Sequence, residues 1–169
     1  KAKGINVWSL DKKKYYDFTM VGTGTTVLGY ADETVNKASI EAIKDGSIST
    51  LNAPEDVELA QILLKDHKWA GGVRFARCGG ESMAIAVRLA RAYTGKNIIG
   101  RFHGGWHGGL DGFLEEHPDN KGVPDDINNL FKVLPYNDNS CFDMITSDMA
   151  AVIIEPVQGS NPRSDIKEF

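Results

Sequence analysis

Phe75-Ala76-Arg77-Cys78-Gly79-Gly80-Glu81-Ser82-Met83-Ala84-Ile85-Ala86-Val87-Arg88-Leu89-Ala90-Arg91-Ala92-Tyr93 combines three local signals. Residues 72–76 lean apolar and predict a strand, the two glycines a tight turn, and the stretch to Tyr93 a helix packed on a sheet. The first amides of a helix have no partner within it, and the positive end of its dipole lies there, so this turn can take an anion. Gly79 and Gly80 carry no Cβ, which lets an anion approach the backbone closely. The expectation is a phosphate on the amides of Gly79, Gly80 and their neighbours. A plain strand-to-helix turn has the same local sequence, so the flanking stretches must separate the two readings.

Downstream, Gly95 ends the helix and Ile98-Ile99-Gly100-Arg101-Phe102 predicts a strand. It runs into His103-Gly104-Gly105-Trp106-His107-Gly108-Gly109-Leu110-Asp111-Gly112, the most glycine-dense stretch of the chain. Residues 115–129 are polar and predict an exposed loop, 131–134 a short strand, 136–138 a turn and 143–148 a helix. The apolar run 150–154 predicts a buried strand that delivers Glu155 at its end. Upstream, residues 4–8 and 14–18 predict two strands around a turn at 10–13. Asp32 is placed to cap a helix running to about Lys44 and stopped by Gly46, and Pro54 opens a second helix ending near His67. Helices alternating with short apolar strands indicate an α/β domain with a largely parallel sheet, where ligands bind beyond the carboxyl ends of the strands. Residues 78–81, 103–111 and 155–159 all fall there.

The chain of 169 residues is long enough for a real core, and 41% hydrophobic with 25% charged residues is ordinary for a globular domain. A net charge of −4 leaves no basic excess to meet nucleic-acid phosphates or a membrane surface. Cys78 and Cys141 form neither a disulfide framework nor a CxxC pair, which favours a reducing compartment, the cytoplasm. No apolar run approaches membrane-spanning length. The chain opens on Lys1 and closes on Phe169 after a polar run, so both ends read as cut.

Trp106 sits between glycine pairs, where its ring could stack on a planar heterocycle or cover a core beneath the loop. His103 and His107 have the i,i+4 spacing of a helical metal pair, but the glycines among them argue against a helix and no HExxH pattern exists. Glu155 either faces water or aims at a ligand, with Gln158 offering an amide beside it. Cys78 reads as a small packing residue, and Arg77 and Arg88 as local positive charge or surface residues. The stretch Gly22-Thr23-Gly24-Thr25 has the G-x-G of a dinucleotide fingerprint but lacks its last glycine, so a nucleotide-binding reading is poorly supported.

Taken in order, RFARCGGESMAIAVRLARAYTGK, FHGGWHGGLD and AAVIIEPVQG resemble the class III pyridoxal-phosphate aminotransferases, in their glutamate-1-semialdehyde aminomutase-like branch. VWSLDKKKYYDF, GTGTTVLGYAD and LNAPEDVELAQILL follow the same order upstream, so the resemblance covers nearly the whole chain. It implies fold type I: a large domain with a mixed, mostly parallel sheet flanked by helices, in a homodimer. Residues 1–50 would be an N-terminal segment, and 51–169 the first part of the large cofactor-binding domain. By the same resemblance, Cys78, Gly79 and Gly80 stand at the turn that holds the phosphate of pyridoxal 5'-phosphate, with Cys and Gly replacing hydroxyl residues. Trp106 stands at the ring-stacking position with His107 after it, Glu155 is the acid of the E-P-V motif near the ring, and Gly22, Thr23 and Gly24 fall on the substrate-pocket loop. The implied activity is amino-group transfer between small-molecule donor and acceptor, by transamination or 2,1-aminomutation, with no metal. The lysine that binds the cofactor is expected beyond residue 169, since Lys96, Lys121, Lys132 and Lys167 lack its context. A cofactor- or phosphate-binding module without chemistry is the alternative.

Overall fold

The computed structural model describes residues 1–19, 24–46, 50–114, 121–159 and Pro162, and these group into two units, Lys1–Gly71 and Gly72–Phe169. In the first unit β1 (Ala2–Lys3), β2 (Asn6–Trp8) and β3 (Lys14–Tyr16) form an antiparallel sheet in that order, with Val7 opposite Tyr15. The β2–β3 turn closes through the Ser9 amide on the Lys13 carbonyl at 3.0 Å, with Lys12 at φ 66°. The two strands are shorter than the expected 4–8 and 14–18 because pairing stops at Asn6 and Tyr16.

Helix α1 (Glu33–Lys44) starts as expected: both the Thr34 and Val35 amides donate to the Asp32 carboxylate at 3.0 Å. Helix α2 (Pro54–Asp66) begins on its proline, whose missing N–H costs nothing in the first turn. It groups with the residues before it in the first unit.

In the second unit α3 (Gly79–Thr94) ends at Gly95, which takes the left-handed conformation at φ 69°. β4 (Ile98–Phe102) follows, then a single 3-10 turn at Asp111–Phe113, α4 (Asp125–Asn128), β5 (Phe131–Leu134), α5 (Cys141–Met144) and β6 (Met149–Ile153). The sheet order is β5-β4-β6 and both pairings are parallel, as the alternation of elements predicts. β4 is the central strand, and successive side chains face opposite layers. Phe102 joins Leu134, Cys141 and Met149 on the α5 side, while Ile99 joins Val87 of α3 and Phe113 on the other. Gly100 has room for nothing larger, since a Cβ there would lie 3.1 Å from Leu134 and 3.2 Å from Met149 and Val152.

Three expectations are corrected. Residues 72–76 are not a strand: strands exist only through a neighbour's ladder, none among the described residues runs beside them, and Val73 and Phe75 are each 37% exposed. The expected loop at 115–129 contains α4 in its described part. The helix expected at 143–148 lies earlier as α5, because Cys141 and Met144 supply the core contacts while the Thr146 hydroxyl bonds Asp148 in a polar turn. Helix α3 packs on the sheet as expected, through a stripe that includes Val87 and Met83, while Leu89 and Tyr93 stay exposed.

Candidate functional site

Because β4 and β6 are parallel, the loops leaving Phe102 and Ile153 emerge at the same end of the sheet. Two contacts show that they meet each other and the start of α3. The Trp106 amide donates to Glu155 Oε2 at 3.1 Å across 49 residues of sequence. Gly108 lies directly on Gly80, so that a Cβ on Gly108 would stand 2.6 Å from the Gly80 Cα and 2.9 Å from its nitrogen. Residues 78–81, 103–111 and 155–159 therefore meet in one locus.

At the α3 start Cys78 is extended, its side chain is exposed, and it makes no capping bond. The Glu81 carboxylate reaches back to accept the Arg77 amide at 2.9 Å, and the first bond of the helix runs from the Ser82 amide to the Cys78 carbonyl at 3.1 Å. The amides of Gly79, Gly80 and Glu81 precede that bond and remain available to an acceptor. Nothing stands within 4 Å of where a Gly79 Cβ would be, so the approach is open. A phosphate, which brings only acceptors and negative charge, fits this turn.

Trp106 presents its indole outward, 58% exposed, in a loop fixed by its backbone. Its neighbour His107 points inward: it is 8% exposed, and its ring meets Phe113 edge-on with centroids 5.7 Å apart. Burial pushes the His107 imidazole below its ordinary value; the Glu155 carboxylate pulls it back up, and the Arg101 guanidinium adds to the lowering. Arg101 is itself 2% exposed, on the Ile99 face of β4. His107, which follows the ring-stacking position in sequence, is an interior residue of the loop.

The Glu155 carboxylate is engaged by the chain itself. Besides Trp106 it accepts the Gly159 amide through Oε1 at 2.9 Å. Gln158 is 3% exposed and donates to the His103 carbonyl at 2.6 Å, a second tie between the loops after β4 and β6. The Tyr136 hydroxyl adds a third bond, to the Pro156 carbonyl at 2.9 Å. Among the described residues no group of three or more His, Cys, Asp or Glu is placed to hold a metal ion. Gly22 and Thr23 lie outside the described residues; Gly24, at φ 81°, belongs to the first unit.

Sequence reasoning missed Arg101 and Gly108. An arginine inside an apolar strand run was a legible flag, because such a charge is either buried with purpose or breaks the strand. Gly108 looked like any other glycine of its loop, and only its approach to Gly80 sets it apart.

Residues 1–161 match the family model for class-III aminotransferases. A glutamate-1-semialdehyde 2,1-aminomutase of Sulfolobus acidocaldarius is 34% identical over 171 residues, which cover 95% of this chain and 40% of that protein. An omega-transaminase from Sphaerobacter thermophilus has the same fold at a TM-score of 0.84 and 26% identity, over 94% of this chain and 40% of the other. A structure described as a transaminase with PLP bound matches at 0.86 and 27%, over 97% and 42%. The chain thus spans about two fifths of the length of the relatives it matches.

Proposed function

This chain belongs to the class-III aminotransferase family, and from that premise we propose that it is the cofactor-binding part of a pyridoxal 5'-phosphate-dependent enzyme that moves an amino group between a small-molecule donor and an aldehyde or keto acceptor. The observation that carries the reading is the seating of the Trp106 loop on the first turn of α3, which puts an anion site and an exposed flat ring in one locus. The relatives named as aminomutase and transaminase support both forms of the reaction, transamination and 2,1-aminomutation.

The cofactor, when bound, supplies an electron sink for negative charge developing on the substrate carbon beside the nitrogen. The residues supply its placement. The amides of Gly79, Gly80 and Glu81 would hold the phosphate, and with no hydroxyl at Cys78 or Gly80 the backbone would provide that hold. Trp106, with its exposed indole, would stack on the cofactor's planar ring and help to exclude water there. Glu155 holds the Trp106 amide and so orients the indole, while neutral His107 anchors the loop from within. The lysine that binds the cofactor lies in the longer protein, outside residues 1–169, and that protein acts as a homodimer in the cytoplasm; Gly22, Thr23 and Gly24 contribute to its substrate pocket. No helix among the described residues is long and apolar enough to cross a membrane.

Reduction of the full-length protein with borohydride in the presence of pyridoxal 5'-phosphate, followed by peptide mapping, tests this. A pyridoxyl group on one lysine outside residues 1–169 is expected. A full-length protein that retains no cofactor and gives no adduct would overturn the assignment.

A further inference from the structure

We propose that Gly108 is a positioning residue, whose missing side chain sets the distance between the ring-stacking loop and the phosphate-holding turn so that the two act as one site. The inference rests on the proposed reading of that site as a pyridoxal 5'-phosphate locus. Gly104 and Gly108 both have positive φ, at 75° and 93°, so backbone conformation alone does not single Gly108 out. What differs is the neighbour. Beside Gly104 a Cβ would meet the end of the Gln158 side chain at 3.0 Å, whereas beside Gly108 it would meet backbone, the Gly80 Cα at 2.6 Å and nitrogen at 2.9 Å. Backbone in the first turn of a helix of 16 residues cannot swing aside as a side chain can. Gly109 has nothing within 4 Å, so the close approach is confined to one residue of the pair.

The residues before Gly108 are pinned as well. The Trp106 amide is held by Glu155, and His107 is sunk against Phe113. Three consecutive residues thus fix the loop to the end of β6, to the core and to α3. The indole between them cannot keep its place relative to the amides of Gly79 and Gly80 if the third anchor is pushed off. A Cβ on Gly108 does that without touching either half of the ligand.

The test uses the full-length enzyme and three probes: pyridoxal 5'-phosphate, inorganic phosphate, and 4-deoxypyridoxine, which is the ring without phosphate or aldehyde. In Gly108→Ala the affinity for the whole cofactor is expected to fall by about tenfold or more, because linked groups bind well only when both subsites are aligned. The affinities for phosphate alone and for the ring alone should change far less, and the circular-dichroism band of the bound cofactor should shift. Gly108→Asn tolerates positive φ better than Ala while still placing a Cβ on Gly80, so it keeps the fold if backbone strain is the difficulty and should show the same selective loss. Gly109→Ala should match wild type. Wild-type cofactor affinity in Gly108→Asn would overturn the proposal, as would a parallel loss of all three ligands, which marks general damage. A wild-type enzyme that binds none of the three would instead overturn the reading of the site, and the proposal with it.

Discussion

The Trp106 amide is bonded to Glu155 while the residue is more than half exposed, so its backbone is placed by the loop and its ring faces outward. Stacking of aromatic systems contributes about 0.5–1.5 kcal/mol beyond burial, so Trp106→Ala in the full-length enzyme should weaken cofactor binding by about threefold to tenfold, read by titration. Unchanged affinity would remove the stacking role. His107 behaves in the opposite way, buried and neutral. Its imidazole is held below the ordinary value first by burial, against the pull of Glu155 and with the push of Arg101. The native state therefore binds its proton later than the unfolded chain does. Stability from this residue is fully present above the unfolded value near about 6.5 and is lost as pH falls from there toward the folded value. Denaturation of the full-length protein as pH falls from about 7 to below about 6.5 should show this loss, and His107→Phe, which keeps an aromatic edge for Phe113, should flatten that part of the profile. An identical slope in the variant would show that His107 is not the group responsible.

Among the elements, β4 organises the second unit: it is the middle strand, and both core clusters include one of its residues. Gly100 is enclosed there by Leu134, Met149 and Val152, so Gly100→Val overpacks both sheet and core and should cost about 1–3 kcal/mol of stability by chemical denaturation. A neutral outcome would mean the strands separate more easily than this packing implies. In the first unit, the α1 start depends on one carboxylate accepting two amides, and Asp32→Ala should cost about 1 kcal/mol by the same measurement. Helices α1 and α2 and strand β4 were legible from caps, a proline and an apolar run bounded by turn residues. Residues 72–76 misled, because their composition suits a strand but composition cannot supply the neighbour that a ladder needs. The α5 position misled for a related reason: which of several apolar residues reach the core depends on where the strands put that core, and Cys141 proved to be the anchor.

For the molecule as a whole, much apolar surface remains uncovered within each unit. Ile43 and Ile62 are exposed in the first, Leu89 and Tyr93 in the second, and neither α1 nor α2 has a buried residue. Exposed apolar surface on this scale marks contact surfaces. The 169-residue chain produced alone should therefore bind a hydrophobic dye and self-associate, whereas the full-length protein should do neither to a comparable degree; dye fluorescence and light scattering decide it. The amino-acid sequence by itself determined α1, α2, α3, β4, the parallel sheet and the identity of the three loops, because caps, glycines and apolar periodicity act over a few residues. It also determined the family, through three motifs in order. The tertiary structure alone decided what those loop residues do: that Glu155 bonds Trp106 and Gly159, that His107 turns inward while Trp106 faces out, and that Gly108 rests on Gly80. Each of these depends on a distance between residues far apart in the chain, which no local preference encodes and which only the packing of α3 and the parallel strands sets.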